Sequence, residues 1–205
     1  MKEDAAGHTK TGLPEDFDLY RFFAYIIGFP SQDRFKLLSR TDLRKTLESL
    51  WAELGCRGEA PRAAVFGSFE QYEAAYIALF DVGAPAPPVP LLESAYHESI
   101  PAQHTVMENA DFFEVLGMKP STAVTSPDHL VTQLEFMASA RYLQDNCRDE
   151  SKLRDMRLLE RDFLDRHLLC WVPDALSKLQ ELQPPLFPIL FALLLQFLRN
   201  RRELV

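Results

Sequence analysis

Between Leu186 and Leu198 the chain sets Phe187, Ile189, Leu190, Phe191, Leu193, Leu194, Leu195, Phe197 and Leu198 in near-continuous succession. A membrane-spanning helix needs about 20 consecutive apolar residues. Here Pro188 and Gln196 interrupt the run, and Arg199, Arg201 and Arg202 end it. The segment is therefore expected as a buried C-terminal core helix, without stable membrane insertion. Its basic last turn suits the negative end of a helix dipole.

The rest of the chain supplies helices of the amphipathic kind. The first is expected over Asp16–Ile27, between Pro14 and Gly28, with apolar residues at helical spacing. Short helices follow over Gln32–Ser39 and, behind a Thr41 cap, over Asp42–Leu54, where Leu43, Leu47, Leu50 and Leu54 form a stripe closed by Gly55 and Gly58. Ser68 and Gln71 read as a capping box for Phe69–Phe80, with Tyr72, Tyr76, Leu79 and Phe80 on one flank. Helical pattern returns over Thr105–Leu116, stopped by Gly117. It returns again from Asp128 to Asp145, entered through Ser126 and Pro127 and burying Leu130, Leu134, Met137 and Ala138. A further helix, Lys152–Leu169, turns Leu153, Met156, Leu159, Phe163 and Leu168 inward. No stretch sustains strand alternation, so the fold class is all-α: a single helical, bundle-like domain over 14–205 behind a flexible N-terminus at 1–13. The VGAPAPPVP segment, Val82–Pro90, cannot be helical. It divides the domain into helical halves 14–81 and 91–205 and is expected to act as a hinge.

Charge and cysteine usage narrow the partners. Asp and Glu number 30 against 22 Lys and Arg, a formal charge of −8, which disfavours nucleic acid and favours a basic partner. Cys56, Cys147 and Cys170 form no CxxC pair, consistent with free thiols in a reducing cytoplasm. Met1–Thr11 lacks the apolar core of a secretory signal, so a cytoplasmic location is expected. There is no GxSxG elbow, no activated cysteine motif and no phosphate loop, so nucleophilic catalysis and conventional nucleotide binding are unsupported. His129 with Asp128 and Glu135, and His167 with Asp162 and Glu160, are the metal candidates, yet none forms HExxH. Asp128 also reads as a first-turn carboxylate favoured by the helix dipole, His129 as a polar residue at an exposed helix start, and His167 as a core histidine beside Trp171.

Several segments carry a resemblance. Tyr76, Leu79 and Phe80, followed by Pro88-Val89-Pro90-Leu91-Leu92-Glu93-Ser94-Ala95-Tyr96, precede Ser126-Pro127-Asp128-His129-Leu130, then Gln133-Leu134-Glu135-Phe136-Met137, then His167-Leu168-Leu169-Cys170-Trp171-Val172-Pro173. In that order and spacing the chain resembles the TorD/DmsD/NarJ family of redox-enzyme maturation chaperones, from about Asp16 to the C-terminus. The resemblance implies a non-enzymatic helical chaperone with no cofactor or metal of its own. Such a chaperone binds the twin-arginine signal peptide and the apoenzyme of a molybdenum-cofactor oxidoreductase, assists cofactor insertion and delays export. It assigns peptide binding to Tyr76, Leu79, Phe80, Pro90, Leu92, Glu93, Asp128 and His129. Ser126-Pro127 stands where members often carry an acidic residue, and Leu92 where an aromatic is frequent, which puts the peptide preference in doubt.

A cationic head and an apolar stretch would be met by Glu93, Asp128 and Glu135 on one side and by Tyr76, Leu79, Phe80 and Leu92 on the other. Those apolar residues are equally readable as ordinary core. A monomer or a dimer swapped through the long connection is expected. The competing reading is a metal-dependent hydrolase with Asp128, His129, Glu135 and His167 as ligands.

Overall fold

The structure is a computed structural model that describes residues 18–60, 66–118 and 126–205. The expected flexible N-terminus and the Asp16 start of the first helix lie outside these residues. Helices α1 (Leu19–Ile27), α2 (Gln32–Leu38), α3 (Thr41–Glu53), α4 (Phe69–Tyr76), α5 (Ala102–Val115), α6 (Leu130–Asp145), α7 (Glu150–Phe163), α8 (Leu169–Leu182) and α9 (Phe187–Leu204) follow in chain order. A π turn at Ile77–Asp81 prolongs α4, and a second at Leu164–Leu168 joins α7 to α8 without a break. The chain from 150 to 182 is thus one rod, longer than the helix expected to end near Leu169. Pro173 sits within its α8 part.

The helix ends follow the sequence with local differences. Asp18 caps α1 through bonds from the Tyr20 and Arg21 amides, and Ser31 caps α2. At α4 the Ser68 hydroxyl accepts from the Gln71 amide, while Gln71 reaches back to the Gly67 amide, one residue before the cap. The cap of α3 is Arg40 rather than Thr41, and it makes no side-chain capping bond. α6 begins at Leu130, not at Asp128, because His129 is held extended by a pairing with the segment after the proline-rich stretch, and Pro127 and Asp128 lie in the turn that precedes it.

α9 is the axis expected from its composition. Leu190, Phe191, Leu193, Leu194 and Leu198 are fully buried. α8 and α1 pack against it, and α1 also packs on α6. The inward set on α6 matches the sequence reading. Of the five residues expected inward on α7 and the turn after it, by contrast, only Phe163 and Leu168 are fully buried, while Leu153, Met156 and Leu159 lie at the margin. Among the described residues no helix is long and apolar enough to cross a membrane. The basic end of α9 has a more specific partner than a dipole. Arg201 forks onto Glu160 with contacts of 2.7, 2.9 and 3.0 Å, and Tyr20 and Gln144 also bond this fully buried carboxylate. Although burial of the guanidinium works the other way, the Glu160 carboxylate holds the Arg201 pKa above its ordinary value.

Removing the arginine would leave a buried carboxylate without its counter-ion. Arg201→Ala is expected to lower the unfolding free energy by about 3–5 kcal/mol, measured by urea denaturation. Arg202→Ala breaks only the exposed pair with Asp165 and is expected to change it by less than about 1 kcal/mol.

Candidate functional site

The proline-rich segment leaves α4 at Val82 and is open to solvent through Ala86. It then plunges inward, with Val89, Pro90 and Leu91 buried. The Val89 amide donates to the Leu79 carbonyl at 2.9 Å. Immediately beyond, Leu92 pairs antiparallel with His129: the Glu93 amide donates to the Asp128 carbonyl at 3.0 Å, and the Leu130 amide to the Leu91 carbonyl at 2.9 Å. Two motifs far apart in sequence are thus joined by a short backbone bridge.

Asp128 completes that bridge. Its Oδ2 accepts from the Ser94 amide at 3.2 Å, capping the 3-10 turn Glu93–Tyr96, and its Oδ1 accepts from the Ser126 hydroxyl at 2.5 Å. His129 caps α6, its Nδ1 accepting from the Val131 amide at 3.2 Å. Burial lowers the His129 pKa, against an opposing pull from Asp128.

Glu93 turns the other way, into the interior. Its carboxylate accepts from Asn109 Nδ2 at 2.9 Å, Gln133 Nε2 at 2.6 Å and His167 Nδ1 at 3.0 Å. Gln133 in turn accepts from the Trp171 indole at 3.3 Å. His167 is therefore a hydrogen-bonded core histidine, as one of its readings held, wedged between Phe112 and Phe163.

Outside the bridge lies a cleft of about 990 Å³. The end of α1 and the start of α2 form one wall with Arg21, Tyr25, Phe29 and Arg34. The end of α4 forms another with Tyr76, Phe80 and Asp81, and Leu91, Ser126, His129, Val131, Glu135 and Ala138 close it. The aromatic wall is rooted in the core. Phe29 meets Tyr76 edge to face at 5.7 Å, Tyr76 meets Phe80 at 4.9 Å, and Phe80 meets Phe187 of α9 at 4.9 Å. Burial raises the Tyr76 pKa well above that of a free phenol, so the ring carries no charge. Arg34 is engaged by the Tyr25 ring and carbonyl, and Arg21 by Asp18. Asp81 and Glu135 are exposed and form no ion pair among the described residues.

Of the residues assigned by resemblance, Tyr76, Phe80 and His129 line this cleft. Leu79 and Pro90 belong to the core, and Leu92 is exposed on the bridge without lining the cleft. Glu93 and Asp128 are sealed in, at 2% and 1% exposure, with their oxygens bonded within the protein, so neither is free to meet an arginine. The residues proposed as a hydrolase centre do not gather either. Among the described residues Asp128, His129, Glu135 and His167 form no cluster with ligand spacing. The contributions of Tyr25, Phe29, Arg34 and Asp81 escaped the sequence. Their one signal is Phe29, an aromatic placed directly after the glycine that ends α1.

The nitrate reductase delta subunit family model matches residues 41–177, and the chain belongs to that family of redox-enzyme maturation chaperones, as the motifs led one to expect. The selenate reductase assembly chaperone protein of Thauera selenatis is 34% identical over 133 residues, 63% of this chain and 67% of that protein. The perchlorate reductase assembly chaperone protein of Dechloromonas aromatica (strain RCB) is 27% identical over 165 residues, 76% of this chain and 73% of its own. Among solved structures, a candidate redox enzyme maturation protein from Archaeoglobus fulgidus shares the fold, with a TM-score of 0.50 and 18% identity over 91% of each chain.

The lowered His129 pKa has a directional consequence. The neutral ring is favoured in the folded state, so stability is fully present above the unfolded value near 6.5 and is lost as pH falls through the lower folded value. Protonation of Nδ1 also removes the α6 cap, a bond worth about 0.5–2 kcal/mol. His129→Asn, which can cap but does not titrate, is expected to flatten the loss of stability between about pH 7 and pH 5 in urea denaturation.

Proposed function

We propose that this chain is a cytoplasmic assembly chaperone, not an enzyme, whose client is a molybdenum-cofactor oxidoreductase. The cleft between α1, α4 and α6 receives the client's twin-arginine signal peptide before export. The single observation that carries this reading is the composition of the cleft. It has an aromatic wall continuous with the core, two carboxylates at its edge, Asp81 and Glu135, that form no ion pair among the described residues, and its own arginines already engaged. A peptide with a cationic head and an apolar helical stretch matches both parts, as helix-in-groove recognition combines apolar anchors with flanking charge. The acidic partners of the arginines are then Asp81 and Glu135 rather than Glu93 and Asp128, whose oxygens serve the bridge and the interior. The relatives named as assembly chaperones of selenate and perchlorate reductases support a client of this class.

The protein acts as a monomer or as a dimer swapped across Val82–Pro90, which light scattering distinguishes. The same segment is proposed as a hinge between helical halves 14–81 and 91–205. Its open stretch, Val82–Ala86, lies between the π turn that carries Phe80 and the anchored Val89–Leu91. Amides flanking it should gain exchange protection when peptide binds. Equal protection in both states would leave a fixed docking loop instead.

Calorimetric titration with the signal peptide of the molybdoenzyme encoded nearest to this chain tests the site. Phe29→Ala, at 57% exposure, removes an anchor without opening the core and is expected to weaken binding about tenfold or more. Glu135→Lys is expected to weaken it further at low salt than at high salt. Unchanged affinity in both variants would place the peptide elsewhere, and absence of binding to the peptide and to the apoenzyme would end the chaperone reading of this cleft.

A further inference from the structure

The Glu93 carboxylate has a second neighbourhood on its outer side. Oε1 lies 3.3 Å from His97 Nε2 and 3.9 Å from Cys170 Sγ, and Cys170 Sγ lies 3.7 Å from His97 Nε2. The ligand atoms of all these residues fall within 4.8 Å of one another. Zinc bonds of about 2.3 Å to sulfur and about 2.0–2.2 Å to nitrogen or oxygen imply tetrahedral edges of roughly 3.6 Å from sulfur and roughly 3.4 Å between nitrogen and oxygen. The observed edges depart from these by a few tenths of an ångström.

We infer that Glu93, His97 and Cys170 form a divalent-metal site of the zinc type, with the fourth position open to water. One sulfur, one imidazole and one carboxylate make a mixed donor set that suits a borderline ion such as Zn²⁺ rather than Mg²⁺ or Ca²⁺. Cys170 is exposed and the His97 side chain is 20% exposed, so an ion can enter from solvent and keep a water. The carboxylate is already oriented from behind by Asn109, Gln133 and His167, which come from α5, α6 and the π turn. Such outer partners hold a ligating carboxylate in place.

Without a cation, burial first and the Glu93 charge second push the Cys170 thiol up to about 12, and its proton points to the carbonyls of His167 and Arg166. A bound cation inverts that local field: the sulfur bonds the metal as thiolate, and its proton passes to solvent. None of these ligands lines the peptide cleft. The metal would clasp the 3-10 turn that follows the proline-rich segment to the α7–α8 rod, closing from outside the junction that Glu93 makes from inside.

The test uses the full chain after chelator treatment, titrated with Zn²⁺ against a chromophoric competitor and with Co²⁺ by absorption. The expected result is about one equivalent of either ion, a thiolate-to-cobalt charge-transfer band and the visible bands of tetrahedral cobalt. All should be lost in Cys170→Ser and His97→Ala and kept in Cys56→Ser and Cys147→Ser. Zn²⁺ should also raise the Tm of the wild type, and not that of Cys170→Ser, since only a ligand of the folded state stabilises it. Substoichiometric uptake, a cobalt spectrum without the thiolate band, or binding that survives both ligand substitutions would overturn the site. Because the spectrum of the wild type decides on its own, poor folding of a variant leaves the test intact. Peptide binding is read separately, so either proposal can fail without the other.

Discussion

Everything that gives this protein its cleft depends on fixing one carboxylate, Glu93, inside the core. A buried carboxylate is costly unless each oxygen is bonded. Glu93 meets that demand only by drawing Asn109 from α5, Gln133 from α6 and His167 from the rod to one point. The adjacent backbone bridge, Glu93 to Asp128 and Leu91 to Leu130, then determines where α6 begins. Asp128 seals the arrangement by capping the turn that Glu93 starts. The junction is specified by polar geometry, which tolerates little displacement, while the surrounding helices pack by apolar contact, which tolerates more.

Against that junction α9 provides mass. Its aromatic residues do not end at the core but continue outward as a chain of rings from Phe187 through Phe80 and Tyr76 to Phe29. The apolar wall of the cleft is thus an extension of the hydrophobic interior, held rigid by edge-to-face contacts. The π turn at Ile77–Asp81 lies in this wall, and such turns recur at functional positions because they redirect side chains within an otherwise regular helix.

Most of the helices were legible because their apolar residues recur at helical spacing, and Leu130, Leu134, Met137 and Ala138 of α6 and the apolar run of α9 are buried as read, although Phe136 and Ala140 are buried as well. The junction was not, for a physical reason. Asp128 and Ser126-Pro127 carry the local signature of a helix start, yet the carboxylate caps a turn 34 residues earlier in the chain, a partner that no local pattern reveals. Glu93 likewise looked like a surface acid suited to arginines, whereas it is buried and bonded to Asn109, Gln133 and His167. A usable hint existed in Gln133, a polar residue between Leu130 and Leu134 on the buried stripe of α6. Such a residue demands a buried partner. The π turns were invisible, since Leu164–Leu168 shows the same apolar recurrence as the helices on either side. Motif order, by contrast, carried the family correctly even where individual residues, Glu93 and Asp128 among them, serve the interior and the bridge.

The bridge and the Glu93 network form the frame, and the cleft beside them is the proposed place where a client is held. Photo-crosslinking measures this most directly, with a benzophenone residue placed in the apolar stretch of the client's signal peptide and the adduct located by peptide mass mapping. Adducts are expected to be confined to residues 21–34, 76–81 and 126–139. Adducts concentrated on the outer face of α7, around Asp155–Asp165, or spread evenly over the surface, would contradict it.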